Sequence, residues 1–362
     1  MHIVHHLLVR VISILEIIFK HMKKILLSVF TVCLCLSSNA QNDKEYSEYL
    51  SAVDEYVPAP GQFVNFVPKY EAGDDAARIA EKCTGKLSGP YEDRKTVISL
   101  GAWGGYITFH FDHPVVNVKG EYDFYIHGNA LDTWSEPGIV MVSEDGEKWY
   151  ELAGSADEDS IGNVIYDYEI TYEKTGDKQD VKWTDNKGGS GFVYRNDFHA
   201  QEYFPEWIES PLVFKGTRLP DNAYNSNASD PKLPQNWIGM QLRYGYADNY
   251  PNLNVEGNSF NIDWAVDENR QPVELDAINY IRVYTATNQS AGWTGESSTE
   301  IAGAKDLHLA ESVEHLSLKN ITSAPVTETA RYTSDGMLLN APEKGINIVV
   351  YSDGSVRKEI VK

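Results

Sequence analysis

Residues 100–154 decide the fold: LGAWGGYITFHFDHPVVNVKGEYDFYIHGNALDTWSEPGIVMVSEDGEKWYELAG. Four short runs, 106–111, 123–127, 138–143 and 148–152, alternate apolar and polar residues, and Gly, Pro, Asn or Asp separates each from the next. Period-two alternation with turn punctuation is the pattern of antiparallel strands that bury one face. Asp145-Gly146 reads as the hairpin turn between Val142 and Trp149. The expected class is all-β: a large antiparallel β-sandwich, with function placed on its loops.

Working outward, further strands are expected over 165–172, 181–183, 191–194, 212–215, 237–246, 260–266 and 278–285. Residues 74–83 are the best helix candidate, opened by Asp74-Asp75 and closed by Gly85. The EYSEYLSAVDEY stretch reads as a helical turn or two before Pro58. Residues 217–235 and 288–306 read as loops, the latter carrying Trp293. After a shift near Ala310, strands are expected at 316–318, 329–332, 337–339, 346–351 and 356–361, with turns at 334–336 and 352–354. The organisation is therefore 1–40 upstream extension plus signal peptide, 41–56 linker, 57–310 main sandwich and 311–362 a small C-terminal β-sandwich module.

The leader has its own logic. Met22-Lys23-Lys24 is a basic start, 25–36 is an apolar run, and Ser38-Asn39-Ala40 precedes Gln41, the form of a secretory signal peptide. A membrane helix through 7–36 is the rival reading, but the charged break at 21–24 interrupts it, and about 20 uninterrupted apolar residues are needed to span. Val32 and Leu34 stand where a lipoprotein signal needs a small residue before Cys33 or Cys35. Past the leader only Cys83 remains, so core burial rather than an intrachain disulfide must stabilise the fold.

The chain carries 31 Lys and Arg against 53 Asp and Glu, a formal net charge of −22. Such a surface repels phosphate backbones and anionic membranes, which excludes nucleic acid as a partner. It suits a secreted or cell-surface location, and either solubility alone or cation binding accounts for it.

Two resemblances follow from particular residues. The tail ARYTSDGMLLNAPEKGINIVVYSDGSVRKEIVK is similar to the C-terminal sorting domain of the Bacteroidetes type IX secretion pathway. It departs at Asn347, where an aromatic is common, and at Asp335, which is displaced within its turn. That resemblance implies recognition by secretion machinery at the outer membrane. Segments PGQFVNFVPKYEAGD, WTDNKGGSGFV, SFNIDWAVDENRQPVEL and GWTGESSTEIAGAKDLHL, with 100–154, resemble a family of secreted Bacteroidetes "cell surface proteins" with a galactose-binding-like jelly roll. The resemblance implies a surface capture role beside an outer-membrane transporter for corrinoids or glycans.

Candidate residues follow from that frame. Calcium in a jelly roll is held by six to eight oxygens from loops. Asp123, Asn129 and Glu136 flank one loop, and Asp263 and Asp267 share a strand face at an offset of four. Local turn capping is the competing role for all five. Ligand capture needs aromatic platforms in a concavity, and Trp103, Trp134, Trp293, Tyr246 and Tyr250 stand in Gly-, Asn-, Asp- or Ser-rich segments. Trp149, Trp183, Trp207 and Trp264 sit in strand contexts and read as core. His110 and His113 fall on opposite sides of a strand, which is not a zinc pair. No nucleophile elbow, phosphate loop or HExxH occurs. The leading function is a binding protein for a small molecule or glycan. A structural or adhesive protein, and a glycan-acting hydrolase with paired carboxylates, are the alternatives.

Overall fold

The computed structural model describes residues 44–93, 96–158, 162–323, 327–352 and 354–362; the expected leader lies outside them. Antiparallel pairing organises the main sheet around strand Ala277–Thr285, with Tyr106–Val116 on one side and Gly138–Ser143 on the other. Ala52–Val57 extends the sheet past Tyr106–Val116, and Tyr150–Leu152 then Ala265–Val266 extend it past Gly138–Ser143. A layer of shorter strands lies opposite. Ser259–Phe260, Phe124–His127 and Gly303–Asp306 form one sheet, and Ile98–Ser99 with Glu300–Ile301 a pair. The class read from the sequence is the one observed, an all-β sandwich of antiparallel sheets.

Strand alternation explains where the core sits. Ile107, Phe109 and Phe111 leave the same face of their strand and meet Phe124, Ile126, Phe260 and Ile301 of the opposite layer. Each such side chain contributes roughly 1.5–3 kcal/mol on burial. Helix Ala76–Leu87 closes this core with Ile79, Cys83 and Leu87. The other face of the main sheet is also covered in part. A four-stranded sheet, ordered Leu212–Arg218, Ile165–Glu173, Val181–Asp185 and Ser190–Val193, packs Tyr168, Ile170, Tyr172 and Phe214 against Ile139 and Tyr284. The main sheet is thus the middle of three layers along part of its length.

Several expectations need correction. The 44–57 stretch is not helical: Ala52–Val57 is a strand with a bulge between Val53 and Glu55. The extra residue brings Val53 and Tyr56, three apart, to the same buried side, which imitates helical spacing. The helix at 76–87 runs through Gly85, capped by Asp75 accepting from the Arg78 N–H at 2.8 Å. Residues 237–246 and 260–266 hold only the short strands Trp237–Gly239, Tyr246–Ala247, Ser259–Phe260 and Ala265–Val266. Strands Glu300–Ile301 and Gly303–Asp306 lie in the segment read as loop.

The C-terminal part begins with helix Leu309–Ser323 where a strand at 316–318 was expected. Leu309, Val313 and Leu316 repeat at helical spacing, and Leu318 is left exposed. Beyond it, Leu338–Leu339, Glu328–Thr333, Gly345–Tyr351 and Val356–Val361 form a four-stranded sheet in that order. Asn347 is buried there, accepting from Arg331 at 3.2 Å and the Glu343 N–H at 3.1 Å. An aromatic at this position would leave Arg331 one acceptor short.

Candidate functional site

Two features share the segment from Trp293 to Glu300. The first is an aromatic shelf. A single 3-10 turn, Gly292–Thr294, turns Trp293 outward, where it is 59% exposed. Gly292 has φ +63, and a Cβ there would stand 2.3 Å from Gln235 Oε1 and 2.6 Å from the Trp237 indole nitrogen, so a side chain at this position strains the turn. Trp293, Phe63, Phe198, His199, Asn196 and Gln62 line a cavity of about 380 Å³. Phe198 is 79% exposed at its rim. Asn196 holds the two sides together: its amide donates to the Trp293 carbonyl at 2.6 Å and its Oδ1 accepts from the Phe198 N–H at 2.9 Å. The Phe63 ring meets the His199 ring edge-on at 4.7 Å. Neither ring nitrogen of His199 has a hydrogen-bond partner among the described residues, which leaves a polar handle beside flat apolar faces.

The second feature is a buried carboxyl cluster. Glu136, Asp248 and Glu300 each place a carboxylate oxygen within 4.8 Å of the others. Asp248 sits at φ 53, a left-handed conformation that Asp tolerates better than most residues. Its Oδ1 accepts from the N–H groups of Asn129 (2.7 Å) and Ala130 (2.8 Å), and its Oδ2 from that of Glu300 (2.9 Å). Glu136 is half-buried, and its carboxylate accepts from the Ser298 N–H at 2.9 Å. Among the described residues no Lys, Arg or His pairs with any of the three. Burial first, and the Asp248 charge second, push Glu136 up to about 8. Burial pushes Asp248 up to about 6 against three backbone donors. Burial and the other two carboxyls hold Glu300 well above the usual range. Nearby, burial raises Glu296 to about 7 although its Oε1 accepts from the Gln62 N–H at 2.7 Å. A sealed trio of this kind can share protons or hold a hard cation.

The structure sorts the candidates. Of the five metal candidates only Glu136 enters this cluster. Asn129 is exposed and contributes its backbone N–H, not its amide. Asp123 is buried and accepts from the N–H groups of Val118 (2.8 Å) and Ile262 (2.7 Å). Asp263 stands in a 3-10 turn, not on a strand face shared with Asp267, and accepts from Asn117, Lys119 and Gly120, each at 3.0 Å. Asp267 caps a turn through the N–H groups of Asn269 and Gln271.

Among the aromatic candidates, Trp293 alone is exposed at a cavity. Trp103 is fully buried, its ring edge-on to Tyr168 at 4.7 Å, because Gly101 and Gly104 fold its loop beneath the second sheet. Tyr246 is buried and its hydroxyl accepts from the Ala156 N–H. Tyr250 is half-buried and donates to the Arg243 carbonyl. Trp134 is half-buried, next to the carboxyl cluster in sequence through Glu136. His110 and His113 do face opposite ways: His110 pairs with Asp54, while buried His113 lies between Asp112 (2.9 Å) and Asp306 (2.7 Å).

Sequence reading missed Asp248, Glu296, Glu300, Phe63, Phe198 and His199. Two glutamates four apart in the otherwise uncharged 292–304 stretch were the one available signal for the acids. It also missed a groove of about 470 Å³ where the second sheet overhangs the main one, beside Trp149 and Tyr166. Several of its polar groups pair with one another: Glu151 accepts from Arg270 (2.6 Å) and Thr217 (2.8 Å), and Lys215 pairs with Glu169 (2.8 Å). No protein-family model matches the chain, and no curated protein is similar to it. No helix among the described residues is long and apolar enough to cross a membrane.

Proposed function

We propose that the chain is a secreted or cell-surface binding protein that captures a small molecule or glycan on the Trp293 shelf. The observation that carries this reading is the pairing of exposed Trp293 and Phe198 around one cavity, with the Gln62, Asn196 and His199 side chains between them. Large aromatic faces are expensive to leave in water unless something covers them. A sugar ring or corrinoid edge offers both an apolar face and hydroxyl or amide groups for the polar handles. In this reading the C-terminal module directs export, and the captured ligand is handed to an outer-membrane transporter.

The test is titration of the chain from Gln41 to Lys362 with corrinoids and with host and plant oligosaccharides, followed by Trp fluorescence and unfolding midpoint. A ligand of the native state raises the midpoint. Trp293→Ala should weaken binding at least tenfold while shifting stability by less than about 0.5 kcal/mol, as expected of an exposed side chain. A full panel without response, or a ligand that binds Trp293→Ala as tightly as wild type, would remove the shelf from consideration. For export, deleting 311–362 should strand the protein in the periplasm; surface display of the truncated chain would overturn that part.

A further inference from the structure

We propose that Glu136, Asp248 and Glu300 form a site for one calcium-class divalent cation. The inference does not rest on the shelf taking a ligand. Every donor atom in the cluster is a carboxylate oxygen, the chemistry of hard cations rather than of zinc or copper. Three carboxyls within 4.8 Å of one another must either keep protons or meet opposite charge, and no basic side chain among the described residues supplies the charge. The hydrogen-bond inventory is uneven in a way that points to an ion. Backbone N–H groups take both oxygens of Asp248 and one of Glu136, which fixes those carboxylates in place. Glu300, only 6% exposed, has its Oε2 buried with no hydrogen-bond donor. An acceptor sealed from water with nothing to accept from is costly, and a cation between the three groups satisfies it.

The surroundings favour calcium over magnesium. Magnesium retains several of its waters, whereas calcium accepts crowded, partly bidentate carboxylates at about 2.3–2.6 Å. Three carboxyls gathered on one point, with Asp248 and Glu300 buried, suit the second habit. The ligands also come from distant parts of the chain: Glu136 precedes strand Gly138–Ser143, Asp248 follows Tyr246–Ala247, and Glu300 opens Glu300–Ile301. A cation here would add to the hydrogen bonds that already join the three segments, Glu136 N–H to the Asp248 carbonyl at 3.1 Å and Glu300 N–H to Asp248 Oδ2 at 2.9 Å.

The experiment uses the chain from Gln41 to Lys362, first as purified, for metal content, and then after chelation. Isothermal titration with calcium chloride should give one site per chain, and saturating calcium should raise the unfolding midpoint of the chelated protein by roughly 5 °C. Glu300→Gln removes one charge with little change of shape and should cut calcium affinity at least tenfold. Glu136→Gln serves the same purpose if Glu300→Gln does not fold. Chelated wild-type protein that shows neither heat nor a midpoint shift with calcium would overturn the proposal and leave shared protons as the sole occupants. Undiminished calcium binding in the glutamine variant would also overturn it, since the ion would then lie elsewhere.

Discussion

Two acidic regions of this molecule are alike in drawing acids from distant parts of the chain and differ in what surrounds them. Around Asp123, Asp263 and Asp267 every carboxylate meets backbone N–H groups, and Asp263 adds the Lys119 ammonium. Around Glu136, Asp248 and Glu300 the donors run out before the acceptors do, and no Lys, Arg or His among the described residues pairs with them. The first region is turn architecture. The second retains an electrostatic demand that the protein does not meet by itself. Counting acids does not separate a ligand site from a turn; counting donors against acceptors does.

The largest contrast should appear at two glycines. A Cβ on Gly128 would stand 2.3 Å from Asp248 Oδ1 and 2.9 Å from the Asp248 Cα, so backbone must move and the bonds to Asn129 and Ala130 break. Gly128→Ala should destabilise by about 3–4 kcal/mol. Gly120, beside Asp263, has φ +78 but open space around it, and Gly120→Ala should cost only about 1 kcal/mol. Urea unfolding of both variants checks the pair, and equal losses would mean that the Asp248 loop yields more readily than its packing implies.

The next contrast is in pH. Burial raises Glu296 from an ordinary 4.5 to about 7. Its folded state holds a proton more tightly than the unfolded chain does, so this contribution is complete below about pH 4.5 and is lost as pH rises to 7. About 3 kcal/mol is involved by linkage. Glu296→Gln keeps an acceptor for the Gln62 N–H and should remove that share of the slope between pH 5 and 8. Urea midpoints with the same pH slope in both proteins would show that Glu296 is not the group responsible.

The fold was legible where period two was sustained. The runs at 138–143 and 165–172 became strands Gly138–Ser143 and Ile165–Glu173 with little change of boundary. It was hidden where one residue broke the period, as at the Val53/Glu55 bulge, or where two leucines imitated alternation, as in Leu316-Ser317-Leu318. The site was less legible because its parts are united only by tertiary contact. Glu136 was nominated, yet Asp248 and Glu300, 112 and 164 residues further along, carry no local mark of their meeting. Trp293 stands exposed at its Gly-rich turn. Trp103 has the same kind of neighbours and is buried, since glycines also allow a loop to be tucked under a sheet. Glycine context reports freedom of the chain and leaves direction undecided.

The smallest effect sharpens the comparison from the turn-like side. Burial alone would raise Asp263, but hydrogen bonds from Asn117, Lys119 and Gly120 outweigh it and hold the carboxyl below its usual range. The sign is therefore opposite to that of Glu296: the contribution is present above about pH 4 and lost as pH falls. Asp263 keeps 28% of its side chain in solvent and Lys119 keeps 63%, so screening leaves about 0.5–1 kcal/mol. Asp263→Asn should match wild type at pH 3 and fall behind it by that amount at pH 6. The gap should narrow in 1 M salt, where the Debye length is about 3 Å. A gap of unchanged size across both pH and salt would mean that Asp263 acts through shape and local hydrogen bonding. Charge would then matter in only one of the two acidic regions, the one where no basic side chain among the described residues faces the acids.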